Sequence, residues 1–249
     1  MCCNLFIAEL KKHRTYIPVK WSSAIYLLIV FLIYYFRFVF RFDLKANFAY
    51  NYLSIDDSLV YYIRRLAKIT SFSIVTFLGI VSIINSNIEQ KARSWQQLEN
   101  LPKSILNILL AKNLSILVLA SVFISIHLFV YRILYNLTPH LLKEAQIDYY
   151  HTPSFFDPNL SIALLSLICV FVFLYFVQCL FYLVQNIYLQ ILLLFVSFFK
   201  FLPGGVAYHS IVALLSNQPI QEHDLIYFSM AILCNALLIV LIRNRPVSK

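Results

Sequence analysis

Glycine is almost missing from this chain: Gly79, Gly204 and Gly205 are the only three in 249 residues. So few cannot build a G-x-x-x-x-G-K-[ST] phosphate loop, which excludes ATP binding of the P-loop kind. Charge is scarce too. Asp, Glu, Lys and Arg make up 12% of the residues, against roughly 25% in a soluble domain. A soluble protein of this composition would lack polar surface. The cysteines, Cys2, Cys3, Cys169, Cys179 and Cys234, form no C-x-x-C pair. Neither a zinc site nor a disulfide framework is indicated. H-E-x-x-H and G-x-S-x-G are absent, so no metalloprotease or serine-hydrolase motif is present. The expected site therefore has no catalytic residue, no metal and no cofactor.

What the chain has is oil. Hydrophobic residues make up 61% of it, with 22 Phe and 17 Tyr. The net charge of +9 could suggest nucleic acid. The charges flank apolar runs, however, where Lys and Arg set membrane topology, so no nucleic-acid partner is expected. The N-terminal segment is basic and precedes an apolar run without an A-x-A type site, so no cleavable signal peptide is expected. The fold class is all-α and polytopic, a single membrane domain over residues 1–249.

Six spans are expected, at about 22–40, 69–85, 105–135, 160–183, 187–202 and 225–242. Each is judged against a hydrocarbon core of ~30 Å crossed at ~1.5 Å per residue. A short interfacial helix carrying Lys11, Lys12 and Arg14 precedes the first. Residues 160–202 are too long for one crossing. Gln178, Gln185, Asn186 and Gln190 mark the polar middle of that block, which implies a helical hairpin turning near 185. Pro203-Gly204-Gly205 breaks the chain, and residues 206–224 form a partly apolar connection that can hold a short helix at the membrane edge. Prolines 139, 153 and 158 are expected to break helices in the polar, aromatic segment 138–158. His140 with Glu144 and Asp148 with His151 could come together there, but two pairs without a third clustered ligand do not define a metal site.

Topology follows from charge. Lys11, Lys12, Arg14, Lys20, Lys91, Arg93, Lys103, Arg243, Arg245 and Lys249 fall on one side of a six-span chain. They outnumber Arg41, Lys45, Arg64, Arg65, Lys68, Lys143 and Lys200 on the other. This places both termini in the cytoplasm.

The organising stretch is residues 89–112, polar and charged between two oily spans. Ile88, Ala92, Trp95, Leu98, Leu101 and Ile105 recur at steps of three and four and share a helix face. Glu89 precedes Arg93 by one turn, the favourable order for a helical ion pair. Pro102 disfavours α geometry at Leu101 and should bend or stop the helix. Residue physics alone reads this as an interfacial helix lying on the membrane.

The pattern Glu89, Ser94-Trp95, Leu98, Leu101-Pro102 also resembles the cytoplasmic loop of ABC transporter permeases of the type-2 export class. It is most similar to the small six-helix branch associated with lantibiotic or bacteriocin immunity and export. Ser94 stands where that branch usually carries Thr. The layout of apolar runs is similar over nearly the whole chain, including a Gln before and an Asn after the turn at 185. The resemblance implies a multi-pass permease in a bacterial plasma membrane. Its partners would be a separate ABC ATPase subunit and a second permease chain, identical or a sister. Its cargo would be a hydrophobic peptide or a lipid-like molecule. Segment 87–104 would dock the ATPase through Glu89, Arg93, Trp95, Leu98, Leu101 and Pro102. Arg37, His127, Gln178 and Gln190 are candidates for a substrate path. For Arg37 the plainer reading is snorkelling to the interface. For His127, near one end of a span, it is a neutral, hydrogen-bonded packing role, although membrane histidines are often functional. Two other readings stay open: a self-contained small carrier or channel, and a membrane enzyme of acyltransferase type.

Overall fold

The computed structural model describes residues 2–15, 17–38, 55–91, 105–144, 160–184, 186–216 and 222–244. Among these the protein is all helix: α1 (Cys2–Thr15), α2 (Ile17–Phe38), α3 (Ile55–Lys91), α4 (Ile105–Glu144), α5 (Leu160–Leu183), α6 (Ile187–Val196), α7 (Pro203–Leu215) and α8 (Glu222–Arg243). Four stretches are long and apolar enough to cross a membrane: Leu66–Ile88, Ile105–Ile133, Leu160–Leu183 and Glu222–Arg243. Three apolar helices are shorter: the Lys20–Leu32 part of α2, α6 and α7.

The ends of these helices have local causes. Pro18 sits in the first turn of α2 and Pro203 opens α7, where a missing N–H costs nothing. Asn186 caps α6, its side-chain oxygen accepting from the backbone N–H of Tyr188 at 2.9 Å and of Leu189 at 3.4 Å. One expectation fails: α4 does not break at Pro139 but continues to Glu144. A proline removes a single backbone donor, which long membrane helices tolerate.

Helix α5 is the hub. Helices α3, α4, α7 and α8 all pack on it, and it runs 24 residues without a charge. Two clusters show how it is held. At one end Leu109 of α4, Cys179 and Tyr182 of α5 and Ile242 of α8 form a core. Toward the other end Cys169 of α5 meets Val206 of α7 and Ala231 of α8. Helix α3 is the most enclosed span, 61% buried against 17% for α8, so α3 is central and α8 peripheral. On α8 only Ala231, Asn235 and Ile242 are buried. Many of its other apolar side chains, Leu225, Ile226, Leu233, Leu237 and Leu241 among them, are exposed, as lipid allows.

Helices α6 and α7 form one interrupted path. Gln190 lies against the end of α5, Val206 against Cys169, and Ser210 against Ser166. Leu194 meets Gly79 and Phe198 meets Phe72 on α3. The path thus runs antiparallel to both α3 and α5. Helix α6 stops at Val196, inside the apolar run 187–202, and helix resumes at Pro203 in what the sequence presents as a connection. Ten residues in α6 and 13 in α7 add up to ~35 Å of helix at ~1.5 Å per residue. That matches the 24 residues of α5.

All three glycines serve this path. A Cβ on Gly79 would collide with the side chain of Leu194. A Cβ on Gly204 would lie 2.6 Å from the Ser197 carbonyl oxygen, and one on Gly205 would strike that of Phe199. The Gly205 N–H donates to the Ser197 carbonyl at 3.0 Å, stitching the first turn of α7 to the end of α6. Glycine is scarce here, and it is placed where backbones must touch.

Candidate functional site

Polar side chains inside the bundle are few, so each needs a partner. The largest group joins α2, α3 and α4. His127 of α4 is fully buried. Its Nε2 shares a 2.9 Å hydrogen bond with the hydroxyl of Tyr26 on α2. The same hydroxyl lies 3.4 Å from Ser73 Oγ on α3, and Ser73 donates to the Thr70 carbonyl at 2.7 Å. Thr70 Oγ1 is 3.4 Å from the hydroxyl of Tyr131, one helical turn beyond His127. Aromatic rings wrap the cluster. Tyr26 stacks on Phe77 with centroids 4.4 Å apart and meets Phe123 edge-on at 5.1 Å. Tyr26 and Val30 are the buried side chains described on α2. This cluster is therefore the main tie between α2 and the bundle.

A second set grips α5. Asn113 of α4 donates from Nδ2 to the Phe171 carbonyl at 3.2 Å. Asn235 of α8 does the same to Val172 at 3.0 Å, and also to Ala231 of its own helix at 3.2 Å. Two neighbouring carbonyls of one helix thus receive amides from two different helices. Such bonds hold helices together in lipid, where burying apolar area gives little.

The sequence candidates divide as follows. His127 is in the Tyr26 cluster, with the hydrogen-bonded packing role open to it. Gln190 is fully buried, and its Nε2 donates to the Val184 carbonyl at 2.7 Å and the Phe181 carbonyl at 3.5 Å. It closes the turn between α5 and α6. Gln178 is buried on α5, and among the described residues its Nε2 makes no hydrogen bond. His127, Gln178 and Gln190 are on three different helices, α4, α5 and α6. The side chains of Arg37 and Glu89 lie outside the described residues, as do Arg93, Trp95, Leu98, Leu101 and Pro102. His140, Glu144, Asp148 and His151 also fall outside the described side chains. Among the described residues no group of His, Cys, Asp and Glu is placed to hold a metal ion.

The sequence reading missed a cleft between α5, α7 and α8. Leu165, Cys169, Val206, Ala213, Leu225 and Phe228 form its apolar walls, with Lys200, His209, Ser210, Asp224 and Tyr227 among them. Counted to its open mouth it holds about 400 Å³. The volume it encloses is small, about 20 Å³, room for about one water, so a larger ligand would occupy the open mouth. Lys200 Nζ stands 5.6 Å from the centre of the Tyr227 ring. Asp224 Oδ1 is 3.5 Å from His223 Nε2. Ser197 and Lys200 have S-x-x-K spacing, yet they are not a nucleophile and base. The Ser197 hydroxyl is buried and donates to the Leu194 carbonyl at 2.6 Å, while Lys200 turns to Tyr227. Polar residues inside apolar runs, Asn113 and Asn235 among them, were the available signal. The cleft had none, because Lys200, His209 and Asp224 are read separately along the chain.

No protein-family model, no curated protein and no solved structure matches the chain. Fold and composition define its class: a helical, multi-pass membrane protein with four long apolar span candidates.

Proposed function

We propose that the chain is the membrane subunit of an ATP-driven exporter, similar to the type-2 ABC permeases, powered by a separate ATPase chain. It crosses the membrane six times, by α2, α3, α4, α5, the interrupted pair α6–α7, and α8. It pairs with a second permease chain. It moves a hydrophobic peptide or a lipid-like molecule, with both termini in the cytoplasm of a bacterial cell.

The observation that carries this reading is where α4 begins, the next described helix after α3, the most enclosed span. The start of α4 packs with the end of α5 and the end of α8. The start of α4 therefore shares one end of the bundle with the α5–α6 turn, and on this reading the motif-bearing sequence that precedes α4 delivers the force there. All three glycines are committed to helix contacts, which leaves none for a phosphate loop. On this reading the energy comes from a partner.

The test is co-purification from native membranes in mild detergent, followed by ATP-dependent movement of a fluorescent hydrophobic peptide and a fluorescent lipid in inside-out vesicles. A chain that purifies alone and moves either probe in proteoliposomes without ATP overturns the proposal. A self-contained carrier is the second reading. The break between α6 and α7 favours it, because discontinuous helices build substrate and ion sites in carriers. The proteoliposome experiment separates the two.

A further inference from the structure

We infer that the cleft between α5, α7 and α8 is a binding site for a phospholipid whose headgroup carries both a phosphate and a primary ammonium. The mouth of the cleft lies beside α8, whose outward side chains, Leu225 and Ile226 among them, are exposed and apolar. In a bilayer, acyl chains cover that surface. Leu165 and Phe228 continue it into the cleft walls. Tyr227 lies five residues past Glu222, the first residue of α8. That is about 8 Å along the helix at 1.5 Å per residue; with Glu222 at the membrane surface, it is the depth at which headgroups give way to chains.

The charges define the headgroup. Lys200 lines the cleft, held over the ring of Tyr227, and His209 lines it from α7. These groups suit a phosphate, which basic pockets between membrane helices bind. Asp224 lines the same cleft. A carboxylate there opposes a headgroup that is only anionic, and it accepts hydrogen bonds from a primary ammonium. A quaternary choline has the charge but no N–H to donate. An ethanolamine headgroup meets both requirements, with its phosphate toward Lys200 and His209 and its ammonium toward Asp224. The pattern selects by charge complementarity and hydrogen bonding together.

The test uses the full purified chain in nanodiscs, with no partner, so its outcome does not depend on the permease reading. Lipids with identical acyl chains and ethanolamine, choline or glycerol headgroups compete, and native mass spectrometry counts the lipid retained. Ethanolamine lipid should be favoured over choline lipid about tenfold, the discrimination expected of one charge-assisted hydrogen bond. Asp224→Asn should abolish that preference and Asp224→Glu should keep it. Lys200→Met should weaken ethanolamine and choline lipids by similar factors, since both carry the phosphate. Equal retention of all three lipids overturns the site, as does preference for the glycerol headgroup. A preference unchanged in Asp224→Asn overturns the role of Asp224. Glycerophosphoethanolamine, which has the headgroup and no chains, should not displace the lipid. If it does so at equal concentration, the occupant is not a lipid.

Discussion

The hydroxyl of Tyr26 and Nε2 of His127 lie 2.9 Å apart across 101 residues of sequence, inside a cage formed by Phe77 and Phe123. This bond ties α2, on which Tyr26 and Val30 are the buried side chains among those described, to α4. It gives His127 a place in the fold that needs no substrate.

The first prediction follows from that pair. Tyr26→Phe keeps the ring stack and removes the hydroxyl. Stability should fall by about 0.5–1.5 kcal/mol, in line with interhelical hydrogen bonds in membranes. Tyr26→Ala removes the ring as well and should cost about 3 kcal/mol or more. Thermal melting in detergent, followed by size-exclusion fluorescence, measures both. Tyr188→Phe, at an exposed tyrosine, is the control and should leave the melting temperature unchanged. Equal melting of Tyr26→Phe and the parent protein would remove the tie.

The glycines allow a sharper contrast. Gly79→Ala puts a methyl against the flexible tip of Leu194. The extra methyl should cost about 1–3 kcal/mol, and Leu194→Ala in the same chain should recover part of it. Gly205→Ala puts its methyl against the backbone carbonyl of Phe199. No side-chain change can relieve that contact. Gly205→Ala should therefore lower the folded yield more, and adding Leu194→Ala should not rescue it. If Leu194→Ala rescues both variants alike, α6 and α7 do not meet as described.

Segment 89–102 can be tested without its structure. Trp95→Ala lies outside the apolar spans and should leave expression and membrane insertion near normal. As an anchor in a partner cleft, Trp95 should cost ~2 kcal/mol or more on truncation, roughly thirtyfold in affinity. Gln90→Ala, on the polar face, should do much less. Quantitative pull-down of the ATPase at matched membrane levels reads the difference. Equal retention of the ATPase by both variants, with full transport, leaves only an interfacial helix.

Topology gives a fourth test. In a background without the five native cysteines, Ser94→Cys and Ser248→Cys should resist a membrane-impermeant thiol reagent in intact cells, and Ser154→Cys should react. Labelling of Ser94→Cys in intact cells would put the docking segment outside and reverse the proposed orientation.

Helix α5 shows what was legible. Its run 160–183 is strongly apolar and carries no charge, follows Pro158 and precedes Gln185-Asn186, and the helix has those same bounds. Length and hydropathy suffice for such a span, because lipid requires every backbone group to be paired within the segment. The start of α4 at Ile105, the last span within α8, and the polar turn near 185 were readable for the same reason.

The interruption of α6 shows what was not. Residues 187–202 are mostly apolar, and the lone Ser197 after Val196 is too weak a mark to show that the helix stops there. Pro203, Gly204 and Gly205 announce a break in the chain. Only packing decides that the break folds back on Ser197 and that buried helix follows it. His127 could be read as a polar group in need of a partner, but Tyr26 as that partner is set by how α2 crosses α3 and α4. Lys200, His209 and Asp224 belong to different elements and meet only when α7 and α8 pack on α5. The sequence alone determined the medium this protein lives in and most of its long helices, since those depend on local apolar length. Tertiary structure alone decided which few polar groups meet inside it, since that depends on the crossings of helices far apart in the chain.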